Sequence, residues 1–142
     1  MQTADQIIAK LALTPHPEGG HYRQTWVADN AGRPTGTCIY FLLKAGEQSH
    51  WHRVDATEIW HFHAGSPLIL HTSADNIGPA KKHRLGPDVL NGDHPQVIVP
   101  TNHWQMATTT GAYSLVSCTV SPGFDFAGFT LAAPDFDIPQ VK

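Results

Sequence analysis

The sequence has little cysteine, no excess of positive charge and no long hydrophobic run. Its 142 residues include two cysteines, Cys38 and Cys118, each inside an apolar stretch and without C-x-x-C spacing. Such cysteines are typical of buried free thiols, and the pair gives no sign of a disulfide framework.

The balance of charge excludes one large class of partner. Lys and Arg total 9 against 12 Asp and Glu, which gives a net charge of −3 without a basic block. A nucleic-acid polymer is therefore not expected as a partner, because that binding depends on clustered cations. No apolar stretch approaches the roughly 20 residues that cross a bilayer. The N-terminus also lacks the pattern of a signal peptide, so we expect a cytoplasmic protein without a membrane partner.

Patterns typical of short β-strands make up most of the sequence. Thr3 and Gln6 match a capping box and predict one helix over about residues 3–13. Eight runs rich in β-branched and aromatic residues then follow, separated by glycine, proline and asparagine turns. The runs are 24–28, 36–44, 57–63, 67–73, 96–100, 105–110, 112–121 and 129–133. No helical pattern interrupts them, so we predict one all-β domain over residues 1–142, a jelly-roll barrel with a short N-terminal helix.

Histidine is the abundant polar residue. Ten histidines outnumber the Lys and Arg residues, and four lie within "SHWHRVDATEIWHFHAG", residues 49–65. Side chains two apart on a strand share a face, so His50 and His52 are expected to point the same way and to meet Glu58 on the next strand. Zinc, iron, manganese and nickel all accept such ligands.

These residues resemble a known family. Gly46, His50-x-His52, Glu58 and Gly65 resemble the first cupin motif, and "VPTNHWQ", residues 99–105, loosely resembles the second, with Gln105 at the ligand position. Four segments (residues 15–26, 49–65, 99–105 and 118–131) together look like a cupin subgroup described as sugar-epimerase-like. The resemblance implies a jelly-roll cupin, commonly a homodimer, with a small-molecule site in the mouth of the barrel.

Three functions remain open at this point. In the first, a divalent metal (Zn, Ni, Fe or Mn) is held by His50, His52, Glu58 and Gln105. In the second, sugar epimerisation proceeds without metal, with His52 or His61 as base, Glu58 orienting the imidazole, and Tyr22, Tyr40 or Tyr113 as proton donor. His61 lies on the face opposite Glu58, which also favours a structural role for it. In the third, the barrel only binds a small polar metabolite, such as a sugar or nucleotide sugar.

The residues expected to contact that metabolite come from three separate segments. They are Glu18, Arg23, Trp60, Phe62, Trp104 and Gln105. Glu18 lies within the irregular "HPEGG" segment, residues 16–20, and Arg23 follows it. The segment is interpreted either as a functional loop or as the start of a strand where the two residues form an ion pair.

Overall fold

The computed structural model describes residues 1–141. Its single α-helix, α1, spans Ala4–Leu11 and begins at the predicted capping box. The Thr3 side chain accepts a hydrogen bond from the backbone N–H of Gln6, and the Gln6 side chain accepts one from Thr3. The helix ends at Ala12, which has a left-handed backbone. Ile7 fixes α1 on the outer face of one sheet, where it packs with Leu13 and Leu42.

Eleven strands form two antiparallel sheets, as the run of short β segments predicts. The strands are β1 (Thr14–Pro15), β2 (His21–Val27), β3 (Thr37–Lys44), β4 (Gln48–Val54), β5 (Thr57–Gly65), β6 (Leu68–Ser73), β7 (Lys81–Leu85), β8 (Gln96–Val99), β9 (Trp104–Thr109), β10 (Tyr113–Ser121) and β11 (Phe129–Leu131). The first sheet has the order β1-β2-β3-β10-β5-β8, and the second has the order β11-β4-β9-β6-β7. This arrangement confirms the predicted all-β barrel with one short helix.

The main hydrophobic core lies between the two sheets. It contains Phe41, Leu43, Trp60, Leu68, Leu70, Leu85, Val97, Val99, Ala107, Val116 and Cys118. Alternation along each strand directs these side chains inward and their sequence neighbours outward. The core fills part of the barrel and leaves the other part to polar side chains.

A second cluster covers the outer face of the second sheet. Trp51 and Met106 project outward there and meet Ile138 of the C-terminal segment, which is fully buried. The indole Nε1 of Trp51 donates to Asp137 at 2.8 Å. The segment after β11 is therefore a packed cover on the barrel wall. In the residues that the structure describes, no helix is long and apolar enough to span a membrane.

Candidate acid–base site in the barrel

A cavity of about 120 Å³ opens between the sheets on the side that the hydrophobic core leaves free. Its walls come from the HPEGG turn, from six strands (β2, β3, β4, β5, β10 and β11) and from the segment between β10 and β11. The lining residues are His16, Glu18, Tyr22, Gln24, Thr37, Ile39, His52, Val54, Glu58, Cys118, Val120, Phe124, Phe126 and Phe129. Four of them are ionisable acids or imidazoles, which makes this cavity the candidate site.

The HPEGG turn brings Glu18 into the barrel. Gly19 has a φ of +107°, and a Cβ built on it would lie 2.0 Å from the carbonyl oxygen of Gln48. Only glycine permits this approach of two backbones. The backbone N–H of His50 donates to the Glu18 carbonyl at 2.8 Å and ties the turn to β4. Glu18 is therefore a buried cavity residue.

A bulge in β4 decides which of its side chains face the cavity. Ser49 pairs with Ala107 and His52 with Gln105, so β4 has one more residue than β9 between these points. The bulge puts Ser49 and His52 on the inner side together. His50 turns away, and its Nε2 lies 2.8 Å from the carbonyl oxygen of Ala133. The expectation that His50 and His52 share a face was wrong because it assumed regular alternation.

His52 has a fixed tautomer. Its Nδ1 lies 2.7 Å from the carbonyl oxygen of His50. A carbonyl only accepts, so Nδ1 carries the proton and Nε2 of the neutral ring presents a lone pair. Burial lowers the pKa of His52, although the nearby Glu58 carboxylate opposes this effect. The ring is thus held neutral, with its basic nitrogen directed into the site.

Glu18 is the immediate partner of that nitrogen. Its Oε2 lies 3.4 Å from Nε2 of His52, and the hydroxyl of Ser49 donates to the same oxygen. Burial raises the pKa of Glu18 to about 8, and the Ser49 hydrogen bond only partly offsets the rise. At neutral pH the Glu18 carboxyl therefore retains a proton beside an unprotonated imidazole nitrogen.

His16 completes this side of the cavity, although it was not among the predicted site residues. Its Nδ1 accepts the backbone N–H of Glu18 at 3.1 Å and lies 3.2 Å from Glu18 Oε1. Burial, followed by repulsion from His52, lowers the pKa of His16 to about 4. Its position between two prolines, just before a glycine pair, is the only signal in the sequence that could have drawn attention to it.

A second carboxyl group enters the cavity from β5. Oε1 of Glu58 accepts a hydrogen bond from Nε2 of Gln105 at 2.7 Å, and Oε1 of Gln105 accepts one from Nε1 of Trp60, also at 2.7 Å. Burial raises the pKa of Glu58 to about 7, while His52 acts in the opposite direction. Glu58 also bonds the buried Cys118 thiol, whose pKa burial raises far above its ordinary value. Near neutral pH, Glu58 can therefore exist in either protonation state.

Three phenylalanines form the rim of the cavity. Phe124, Phe126 and Phe129 pack edge to face, with ring centroids 4.8 to 6.0 Å apart. His52 lies under Phe129, with centroids 5.6 Å apart. The ionisable groups thus lie beneath an apolar rim, which strengthens electrostatic interactions inside the site.

Several residues predicted to contact the ligand lie elsewhere. Trp60 is 1% exposed and packs in the hydrophobic core, with Phe62 partly buried against it. Trp104 faces outward into the second cluster, because it precedes the inward Gln105 on β9. Gln105 is fully buried and reaches the site only through Glu58.

The outer face of the first sheet holds the remaining candidates. Arg23 is exposed, and its guanidinium lies 5.8 Å from the ring centroid of Tyr40, so it makes no ion pair with the inward Glu18. His61 bonds the Thr119 hydroxyl on the same outer face. Tyr113 packs near α1. Of the three tyrosines considered as proton donors, Tyr22 is the one that lines the cavity.

The side chains that could ligate a metal ion in the cavity do not fit the metal centre that the sequence predicts. His50 lies outside the cavity, and the amide of Gln105 is occupied at both ends by Glu58 and Trp60. Among the residues that the structure describes, no group of three or more His, Cys, Asp or Glu side chains is arranged to hold a metal ion. The inward groups have other partners: Glu18 accepts a hydrogen bond from Ser49, Glu58 accepts one from Gln105, and Nδ1 of His52 is held by the His50 carbonyl.

Comparison with known proteins agrees with this fold. A crystal structure of a protein from Shewanella oneidensis is 39% identical, with a TM-score of 0.88, and the match covers 94% of this chain and 86% of that one. A hypothetical protein from Leishmania major is 32% identical, with a TM-score of 0.86 and coverage of 93% and 88%. KdgF from Halomonas sp. shares the fold at 16% identity, with a TM-score of 0.59 and coverage of 81% and 91%.

The family assignment rests on a separate comparison. None of the curated proteins matches the chain. The model of the family described as "Cupin superfamily (DUF985)" matches residues 5–132, nearly the whole length of the chain. The two-sheet barrel, the inward Glu58 and this match lead to one conclusion: the chain belongs to the cupin superfamily, in the DUF985 family.

Proposed function

We propose that the protein binds a small, uncharged polar metabolite in the barrel cavity and transfers a proton on it without a metal ion. The observation that carries this proposal is the pair formed by His52 and Glu18. A neutral imidazole nitrogen faces a carboxyl oxygen at 3.4 Å, inside a cavity that a ligand can enter. Burial lowers the pKa of His52 and raises that of Glu18, so at neutral pH the imidazole is in the unprotonated form of a base and the carboxyl group in the protonated form of an acid.

The walls of the cavity favour a polyhydroxylated ligand such as a sugar. Glu18, Glu58, Gln24 and Thr37 offer hydrogen bonds, while the Phe rim offers apolar faces for C–H groups. The cavity volume of about 120 Å³ is below the roughly 300–1,000 Å³ of sites for drug-sized ligands, so it suits one small molecule or one part of a larger one. Two buried carboxyl groups disfavour an anion. A nucleotide sugar gains no support, because the Arg23 expected to bind its phosphates lies outside.

The proton transfer that these residues can perform is exchange at a carbon next to a carbonyl. Nε2 of His52 removes the proton, and the C–H electron pair moves into the enolate. A protonated carboxyl group, Glu18 or Glu58, donates to the enolate oxygen. Return of a proton to carbon then gives the isomer or epimer and restores the starting states.

Glu18 has a second role in this scheme. When His52 becomes an imidazolium, the Glu18 carboxylate that has lost its proton lies beside it and stabilises the charge. Ser49 holds Oε2 in place through its hydroxyl. The pair can therefore exchange a proton without leaving a charge unpaired in a buried site.

Hydrogen–deuterium exchange provides the test. The protein is incubated in D₂O with a panel of uncharged aldoses and ketoses, and deuterium at carbon is read by proton NMR and mass spectrometry. We expect wash-in with at least one sugar, and at least a hundredfold slower exchange in His52→Gln. His50→Gln is the matched control, because His50 lies on the same strand and faces outward. It should exchange at the wild-type rate.

Two results would overturn the proposal. One is exchange that persists in His52→Gln. The other is saturable binding of a sugar in the cavity, seen by NMR shift changes at Phe124 and Phe129, with no exchange in any panel member. That second result would instead support a module that binds without catalysis.

A further inference from the structure

The outer face of β5 carries two histidines that the proposed function does not use. His61, which is half-buried, and His63, which is exposed, are two residues apart on one strand and lie on the side of the sheet away from the cavity. His61 Nε2 lies 3.2 Å from the Thr119 hydroxyl, and His63 Nε2 bonds the Ser117 hydroxyl. Both hydroxyls belong to β10, the neighbouring strand.

These hydrogen bonds fix the two rings in a matched orientation. Thr119 and Ser117 are themselves two residues apart on the outer face of β10. Because β5 has one more residue than β10 at His63, these hydrogen bonds, and not regular alternation, direct both rings toward β10. The two imidazoles are close enough to interact, since His63, after burial, contributes to lowering the pKa of His61. The two rings thus present two nitrogen ligands on the same side of the sheet.

The hydroxyl partners also set which nitrogen is free. Both rings make their hydrogen bonds through Nε2. A serine or threonine hydroxyl can accept, so Nε2–H of each ring can donate and leave a lone pair on Nδ1. Metal-binding histidines typically donate their second ring N–H in this way, which orients the ring and increases its basicity.

We propose that His61 and His63 form a two-imidazole surface site for a divalent transition-metal ion, with Thr119 and Ser117 as the supporting partners. Imidazole ligands suit copper, nickel and zinc, and copper(II) binds most tightly in the usual order of affinities. Solvent completes the shell, because two side chains leave coordination positions open. The site is separate from the barrel cavity, since the backbone of β5 lies between them.

The test uses the full-length protein after chelator treatment, titrated with Cu²⁺ by calorimetry and followed by electron paramagnetic resonance. We expect one equivalent of Cu²⁺ whose spectrum shows coordinated imidazole nitrogen, and at least tenfold weaker binding in His61→Ala and in His63→Ala. His50→Ala and His52→Ala are controls for the other two histidines of residues 49–65. Both variants should bind Cu²⁺ as tightly as the wild type. Ser117→Ala should weaken binding while leaving both ligands in place.

Equal affinity in the wild type and in both His61→Ala and His63→Ala would overturn the site. So would a strong loss of Cu²⁺ in His52→Ala, because that would place the ion in the cavity. Thermal melting of each variant checks that the fold is intact. The experiment thus distinguishes a metal ion at the surface site from one in the cavity.

Discussion

Nε2 of His52 lies 3.4 Å from Oε2 of Glu18, although 33 residues separate the two side chains in sequence. The contact exists because the HPEGG turn is pressed against the start of β4, where Gly19 passes over the Gln48 carbonyl. Both side chains are buried, and burial disfavours a charge on either one, so the pair is stable when both members are neutral. The predictions that follow depend on this relationship and on the strands that hold it.

Glu18 should make stability fall as the pH rises. Its pKa is about 8 in the folded protein, against an ordinary value of 4.5, so its contribution is complete below pH 4.5 and is lost as the pH passes through 8. His16, with a pKa of about 4, acts in the opposite sense, and its contribution is lost as the pH falls from 6.5 to 4. Between pH 6.5 and 8, the pH dependence of stability therefore reports on the buried carboxyl groups and not on His16.

Glu18→Gln is expected to flatten this dependence. In urea denaturation between pH 6.5 and 8, the variant should lose part of the wild-type slope, whose limit is about 1.4 kcal/mol per pH unit for each proton. Glu47→Gln, outside the cavity, is the control and should keep the full slope. A wild-type slope that survives in Glu18→Gln would show that Glu18 is not protonated at neutral pH.

Trp60→Phe should reduce stability through the lost indole N–H. Oε1 of the fully buried Gln105 would be left without its donor, which costs about 1–3 kcal/mol beyond the loss of ring volume. Trp51→Phe is the matched control, since the ring of Trp51 is equally buried but its partner Asp137 is exposed and can be solvated. Urea denaturation should show the larger loss for Trp60→Phe, and equal losses would contradict the role given to Gln105.

Gly19→Ala should disrupt the turn that carries Glu18. The added Cβ would meet the Gln48 carbonyl at 2.0 Å, so β4 and the turn must separate. Gly32→Ala is the control. Gly32 also has a positive φ, +76°, but a Cβ added to it would meet nothing within 4 Å. We expect about 1 kcal/mol for Gly32→Ala from backbone strain alone and several for Gly19→Ala. A similar melting temperature for both variants would mean that the close approach does not matter.

Removal of metal should leave the barrel unchanged. Hydrogen bonds from Ser49 and Gln105 already hold Glu18 and Glu58 in place. Dialysis against a chelator should therefore not shift the melting temperature of the His61→Ala variant, in which the proposed surface site is absent. An ion resident in the cavity would stabilise the fold by mass action, and its removal would lower the melting temperature. A fall of several degrees that zinc or manganese restores would therefore contradict a metal-free cavity.

Alternation of side chains made much of the fold predictable. The helix start at Thr3, the antiparallel strands and the inward direction of Glu58 all follow from local pattern. β1 and β7 were not predicted, because the first is two residues long and the second, "KKHRL", is too charged to resemble a strand.

One error at the site contradicts local pattern: Trp104 and Gln105 are predicted to contact the same ligand, although neighbours on a strand face opposite ways. The other errors arise where local pattern gives no information. The bulge in β4 depends on pairing with β9, and the position of His16 depends on the fold of a turn against a distant strand. The homodimer and the cytoplasmic location stay predictions.

The extra residue in β4 has a chemical consequence for the interior of the barrel. The bulge presents the hydroxyl of Ser49, rather than the imidazole of His50, to Glu18. One residue of slippage along a single strand thus separates an interior suited to relaying protons from one suited to chelating a cation. Proteins with this architecture could exchange one chemistry for the other without altering a single inward-facing amino acid on any other strand.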